Sequence, residues 1–233
     1  MLLSAISSGA SIQQILLTII VSLPAVLLAI SGHEAAHGWM AYKLGDPTAK
    51  MMGRVTLNPI RHFDLFGTLS MLLVGFGWAK PVPFNPHNFK RFRSGSAMVA
   101  LAGPVSNFLM AAVSLFLYFS VQAIVGFFPV TGAAEQIVWI LSTMLAMMVD
   151  YNISLGVFNL VPIPPLDGSK VLFSFLPAKA FNFILNFERY GLFILFIVLA
   201  SGVLDGPINL LMQSVSYLLS FVIGWPFMLF GLL

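Results

Sequence analysis

The chain is 233 residues long, 59% hydrophobic and only 8% charged, with no cysteine and a formal net charge of +3. A soluble domain carries about a quarter charged residues, so an ordinary water-soluble enzyme is excluded, and the missing cysteines exclude a disulfide scaffold, Cys-ligated zinc and thiol catalysis. A mean hydropathy of +0.96 predicts an all-α polytopic membrane protein of about five to six transmembrane helices, whose basic excess reports topology and not nucleic-acid binding.

The expected organisation is a single integral membrane domain over 1–233, with a catalytic core over about 11–175 and C-terminal helices over about 181–231. Met1 to Leu23 contains no Lys or Arg, so it lacks the basic region of a secretory signal and reads as a retained helix. The first apolar segment, Ser11 to Leu44, is helical by its Leu, Ile, Ala and Met content and is ended by Asp46 and Pro47. Residues 45–64 are polar and turn-rich, and Met51 to Leu57 is a candidate short strand. Leu65 to Trp78 is apolar but short for a straight span and carries three glycines. It is expected to dip into the membrane and return. Ala79 to Pro86 must be extended, because its closely spaced prolines forbid helix.

Further helices are expected from about Ser96 to Gly126, from Ala134 to Asn159, from about Tyr190 (or nearer Phe181) to Val203, and from Ile208 to Phe230. With a re-entrant 65–78, all 11 Lys and Arg fall on one side of the membrane. The opposite connections, near Phe128 to Ala134 and Leu204 to Pro207, hold none. The positive-inside rule then places the end of the first helix and the Asp167 loop on the cytoplasmic side of the cell membrane. The cluster Lys90-Arg91-Phe92-Arg93 is expected to touch lipid headgroups there.

The chemistry concentrates in His33-Glu34-Ala35-Ala36-His37. Histidines four apart share one face of a helix and can bind one zinc ion, with Glu34 beside the first ligand to take a proton from water at the metal. Ionisable groups inside an apolar helix are expensive in lipid and usually mark function. The plainer alternative is a buried histidine pair hydrogen-bonded between helices. A hydrolytic zinc site needs a third protein ligand, for which Asp64, Asp150, Asp167, His62 and His87 are candidates. Asp167 has the best context, after a proline-rich break and on the same side as His37, although an Asp-Gly pair also suits a simple turn. His62 and Asp64 read as a loop pair or as support for the site. Asn152 is expected to make an inward polar contact, and Asp150 to be a buried partner between helices.

Two distant motifs make a resemblance specific. His33-Glu34-Ala35-Ala36-His37, followed about 130 residues later by Asn159-Leu160-Val161-Pro162-Ile163-Pro164-Pro165-Leu166-Asp167-Gly168, resembles the site-2 protease family of intramembrane zinc metalloproteases. Gly77-Trp78-Ala79-Lys80-Pro81-Val82-Pro83 and Ala102-Gly103-Pro104-Val105-Ser106-Asn107 are similar to its compact prokaryotic members without a PDZ-type domain. The resemblance implies a three-helix catalytic core, one Zn²⁺ per chain on His33, His37 and Asp167, Glu34 as general base, and Asn159 facing the substrate backbone or the oxyanion. Transmembrane-protein substrates are the implied partners, in a lipid bilayer, captured along Met51–Leu57 or Pro81–Asn85 by β-augmentation. A metal or proton-coupled transporter using the same His and Asp residues is the alternative function. It would be expected to spread polar groups over several helices and to show repeats, which this sequence lacks.

Overall fold

The computed structural model describes residue 9 and residues 11–67, 79–177 and 190–231. Among the described residues, four helices are long and apolar enough to cross a membrane: α1 (Ile12–Lys43), α3 (Phe92–Phe127), α4 (Ala133–Asn159) and α7 (Asp205–Leu229). Between them lie the short α2 (Thr48–Met51), α5 (Asp167–Ser174) and α6 (Gly191–Ala200), with 3₁₀ turns at Pro59–Arg61 and Pro86–Asn88. The apolar α6 is too short to span alone and follows directly on residues outside the description. The expected dip of 65–78 also lies mostly outside it; only Leu65 to Gly67 are seen, as helix.

No strand forms among the described residues. Met51 closes α2, and the residues after it turn through Gly53, whose φ is +64°, so the strand expected at Met51–Leu57 is absent. The stretch begins at the end of a helix and contains Gly53, whose positive φ turns the chain out of an extended course. Ala79 to Asn85 is extended, as its prolines demand, and its backbone bonds to side chains and to a loop carbonyl in place of a sheet ladder.

The bundle is held mainly by α3, whose buried face packs on α1, α4, α5 and α7. That face reads Gly95, Ala97, Ala100, Ala102, Gly103, Asn107, Ala111 and Ser114. Small residues let helix backbones approach closely in a lipid setting, where packing and hydrogen bonds supply the association. Further along, Ala111 and Leu115 meet Val149, Ile153 and Val157 of α4, with Ile208, Met212 and Val215 of α7 against them. Large apolar side chains such as Leu109, Phe116, Ile137 and Leu211 point outward, as a lipid-facing surface requires.

The extended segment is clamped at both ends. Arg54, 6% exposed, donates to the carbonyls of Lys80 (2.6 Å) and Pro81 (3.2 Å). At the other end the fully buried Asp46 accepts from the Thr48 hydroxyl (2.6 Å), the Asn85 N–H (2.6 Å) and the Asn88 side-chain amide (2.7 Å). Burial opposes ionisation of Asp46, but these donors outweigh it and hold the carboxyl below its ordinary range. A depressed folded-state pKa adds stability that is present above the unfolded value of about 3.9 and is lost as pH falls through the folded one. Asp46→Asn turns an amide NH₂ toward donors and is expected to lower stability by about 2 kcal/mol at pH 7. Thermal unfolding in detergent should show that difference shrinking below about pH 4.

Candidate metal centre

His33 and His37 lie one turn apart on the inward face of α1, their rings edge to face with centroids 4.5 Å apart. Asp167 arrives from the far end of the chain. Helix α4 ends at Asn159, the chain turns through Val161 to Pro165, and Leu166 in extended conformation precedes α5. The Asp167 carboxylate does not cap α5, its own helix; it points at the histidines, where it could serve as a third ligand. Gly168 permits this approach, since a Cβ there would collide with the Leu160 carbonyl and lie 2.7 Å from that of Val161.

The three metal-facing atoms form a tight triangle. His33 Nε2 and His37 Nε2 are each 3.1 Å from Asp167 Oδ2 and 2.9 Å from one another. These side chains keep only 6%, 11% and 11% of their surface exposed. Each histidine directs Nδ1 at a fixed oxygen, Asn107 Oδ1 at 2.6 Å for His33 and the Val99 carbonyl at 2.7 Å for His37. With Nδ1–H donated there, both Nε2 lone pairs face the carboxylate. Three lone pairs converging in this way repel unless a positive charge sits among them. Tetrahedral zinc with bonds of about 2.0–2.1 Å separates its ligand atoms by about 3.3 Å, close to the distances found. The donor set fits zinc.

Glu34, next to His33, lines the same cavity of about 160 Å³, together with Val82, Phe84, Asn159, Pro165 and Lys170. Its Oε2 accepts the Val82 N–H at 2.9 Å, so the doubly clamped extended segment fixes the carboxylate. Asn159 reaches the cavity from the end of α4, with one amide proton bonded to the Leu155 carbonyl at 3.0 Å. Lys170 sits 3.9 Å from Asp167 Oδ1, the oxygen turned away from the histidines.

The other third-ligand candidates stand apart. His62 is buried and bonds the Thr56 carbonyl at 2.9 Å, Asp64 accepts the Gly67 N–H at 2.8 Å, and exposed His87 packs on Phe92. Asp150 is exposed on α4, so the expected buried partner between helices is corrected. The i, i+7 spacing from Asn159 placed Asn152 inward, and Asp150 falls two residues away on the opposite side of the helix. Asn152 is fully buried and accepts from Asn107 at 2.8 Å.

Two residues near the centre had no role assigned from sequence. Asn107 contacts His33 directly, and a Cβ on Gly103 would lie 2.5 Å from the His37 ring and 2.6 Å from the His33 ring. Their shared α3 motif carried the only signal, because a lone Asn in an apolar helix is costly unless bonded.

Comparison with known proteins agrees. Residues 119–202, which include Asn159 and Asp167, match the profile of Peptidase family M50. The chain is 40% identical over 174 residues to YwhC of Bacillus subtilis (strain 168), which is named as a zinc metalloprotease, covering 75% of this chain and 77% of that one. The chain belongs to peptidase family M50. Within that family it is also 26% identical to proteins named Rip2 from Mycolicibacterium smegmatis and Mycobacterium tuberculosis (strain H37Rv), over 77% of this chain and 66% of each of theirs. No solved structure matches. The membership adds a peptidase framework to a site that geometry had already assembled.

Gly103→Ala tests the packing of α3 on the M50 metal centre. The added methyl should push the two rings apart and reduce zinc retained after detergent purification by at least about tenfold, read by elemental analysis at unchanged helical content.

Proposed function

We propose that this chain is an intramembrane zinc metalloprotease that hydrolyses peptide bonds in or near transmembrane segments of membrane-protein substrates. One zinc ion per chain is held by His33, His37 and Asp167. The observation that carries the reading is the meeting of these three donors, from the two ends of the core, in one cavity with Glu34 at its wall. Among the described residues no second cluster of this kind exists, so nothing favours the transporter alternative.

Zinc held by His33, His37 and Asp167 would supply Lewis acidity, lowering the pKa of a bound water and polarising the scissile carbonyl. Glu34 would take a proton from the attacking water and pass it to the leaving amine. The Val82 N–H holds Oε2 in place, so Oε1 is the oxygen that carries the proton. Asn159 has a second amide proton to direct into the cavity, toward the oxyanion or the substrate backbone. An intact substrate helix has every backbone group bonded, so a stretch must unwind. The extended Pro81–Asn85 segment, with Val82 and Phe84 at the cavity, offers an unwound stretch a backbone to lie against.

The basic residues support a catalytic end on the cytoplasmic side of the cell membrane. Lys43 ends α1, Arg91 and Arg93 flank the start of α3, and Lys170 borders the cavity, all at the end where the ligands meet. The cluster at residues 90–93 rests on headgroups there. The four spans and the site form one domain whose partners are membrane-protein substrates and lipid, without nucleic acid.

Glu34→Gln should keep zinc and lose about 10²–10⁴-fold in cleavage rate, measured on a membrane-embedded reporter with metal content determined in parallel. In membranes, fragments spanning the bilayer should accumulate with this variant and not with the active chain. Equal zinc together with unchanged cleavage would overturn the reading.

A further inference from the structure

Asn107 and Asn152 are both completely buried, one on α3 and one on α4. Their amides link three helices in one chain of hydrogen bonds. Asn152 Nδ2 donates to the Met148 carbonyl at 2.8 Å. Asn152 Oδ1 accepts from Asn107 Nδ2 at 2.8 Å, and the same Nδ2 donates to the Ala29 carbonyl of α1 at 3.1 Å. Asn107 Oδ1 then faces His33 Nδ1 at 2.6 Å.

The direction of this chain is not free. A backbone carbonyl can only accept. The atom of Asn152 that meets Met148 O must therefore be its NH₂, which leaves Oδ1 for Asn107. Likewise the atom of Asn107 that meets Ala29 O must be its NH₂, and its two protons go to Ala29 O and Asn152 Oδ1. Reversing Asn107 would set oxygen against oxygen at both Ala29 and Asn152, and reversing Asn152 would set oxygen against the Met148 carbonyl and NH₂ against the Asn107 NH₂. Oδ1 of Asn107 is left with one partner, His33 Nδ1, which has to be the protonated nitrogen. His33 Nε2 consequently carries the lone pair.

We propose that Asn107 and Asn152 are positioning residues: a two-amide relay, anchored on the carbonyls of Met148 and Ala29, that locks His33 as the Nδ1–H tautomer and presents Nε2 to the metal. His37 achieves the same through a single backbone carbonyl, Val99 O. His33 lies deeper along α1 and reaches no such carbonyl, so its acceptor is built from side chains whose polarity is set two bonds away. The relay ties metal affinity to the register of α1, α3 and α4, because a shift of any one helix breaks a link.

The metal half of this inference rests on the zinc site proposed above; the tautomer half does not. The test uses the full chain in detergent with four variants: Asn107→Leu, Asn107→Asp, Asn152→Leu and, as a control on the site, His33→Ala. Zinc affinity is measured by competition with a chromophoric chelator. The histidine tautomers are read in the metal-free protein by nitrogen NMR after ¹⁵N-histidine labelling, which is tractable because the chain has 4 histidines.

Asn107→Leu is expected to weaken zinc binding by about 10–100-fold and to abolish the single-tautomer signature of His33. Asn107→Asp keeps an acceptor for Nδ1–H and should retain the single-tautomer signature, while its second oxygen, set against the Ala29 and Asn152 oxygens, should cost part of the zinc affinity. Asn152→Leu leaves Asn107 anchored by the Ala29 carbonyl alone, and should show a partly mixed His33 signal and a smaller loss of affinity. Folded Asn107→Leu with wild-type affinity and an unchanged His33 signal overturns the relay. Where that variant does not fold, an unchanged signal in Asn152→Leu does so. Wild-type zinc binding by His33→Ala overturns the zinc site instead, and the metal-free spectra still decide the relay.

Discussion

Two imidazoles buried in a membrane helix have four ring nitrogens, and each needs a partner that lipid cannot provide. The rest of the core is arranged around that requirement. Two nitrogens are satisfied inside the bundle, by Asn107 and by the Val99 carbonyl of α3. The other two are turned to one point, where Asp167 meets them. The close contact of α3 with α1 follows, since neither acceptor would reach its ring across a helix pair held apart by large side chains. Gly103 opens the space at the level of both rings.

The Glu34 carboxylate depends on a second, independent arrangement. Glu34 belongs to α1, but its orientation is set by Val82, whose position is set by Arg54 at one end of the extended segment and Asp46 at the other. A proline-rich stretch suits this duty. It has few N–H groups to satisfy and little conformational freedom to lose. A carboxylate held at one oxygen and open at the other is placed for proton transfer without reorganisation. The His33–His37–Asp167 cluster and Glu34 are thus held by different parts of the chain, α3 with α5 for the first and the 46–88 loops for the second.

Much of this was legible beforehand because lipid imposes simple rules. Helix extents at Ile12–Lys43, Phe92–Phe127, Ala133–Asn159 and Asp205–Leu229 lie within four residues of those expected from apolar runs and their breakers. The pairing of His33 with His37 needed only the helical repeat. Asp167 was reached by context and resemblance, since spacing cannot tell a ligand from a turn aspartate. The errors lay where periodicity is weak. Met51–Leu57 has strand-like residues but follows a helix and a glycine at positive φ, and Asp150 was placed by its neighbour Asn152, whose face it does not share.

The sequence by itself determined the membrane class, the spans, the histidine pair with its glutamate, and the family, because each follows from local composition or from short spacing along one helix. Only the tertiary structure decided that Asp167 turns from its own helix to the histidines, that Glu34 is fixed by Val82, and that Asn107 and Asn152 stand behind His33. The physical reason is common to the three. Each is a hydrogen bond or ion contact between groups at least 45 residues apart, whose partner is chosen by which helices touch. That contact depends on small residues, glycine clearances and a clamped loop acting together, and no single stretch of sequence contains all of them.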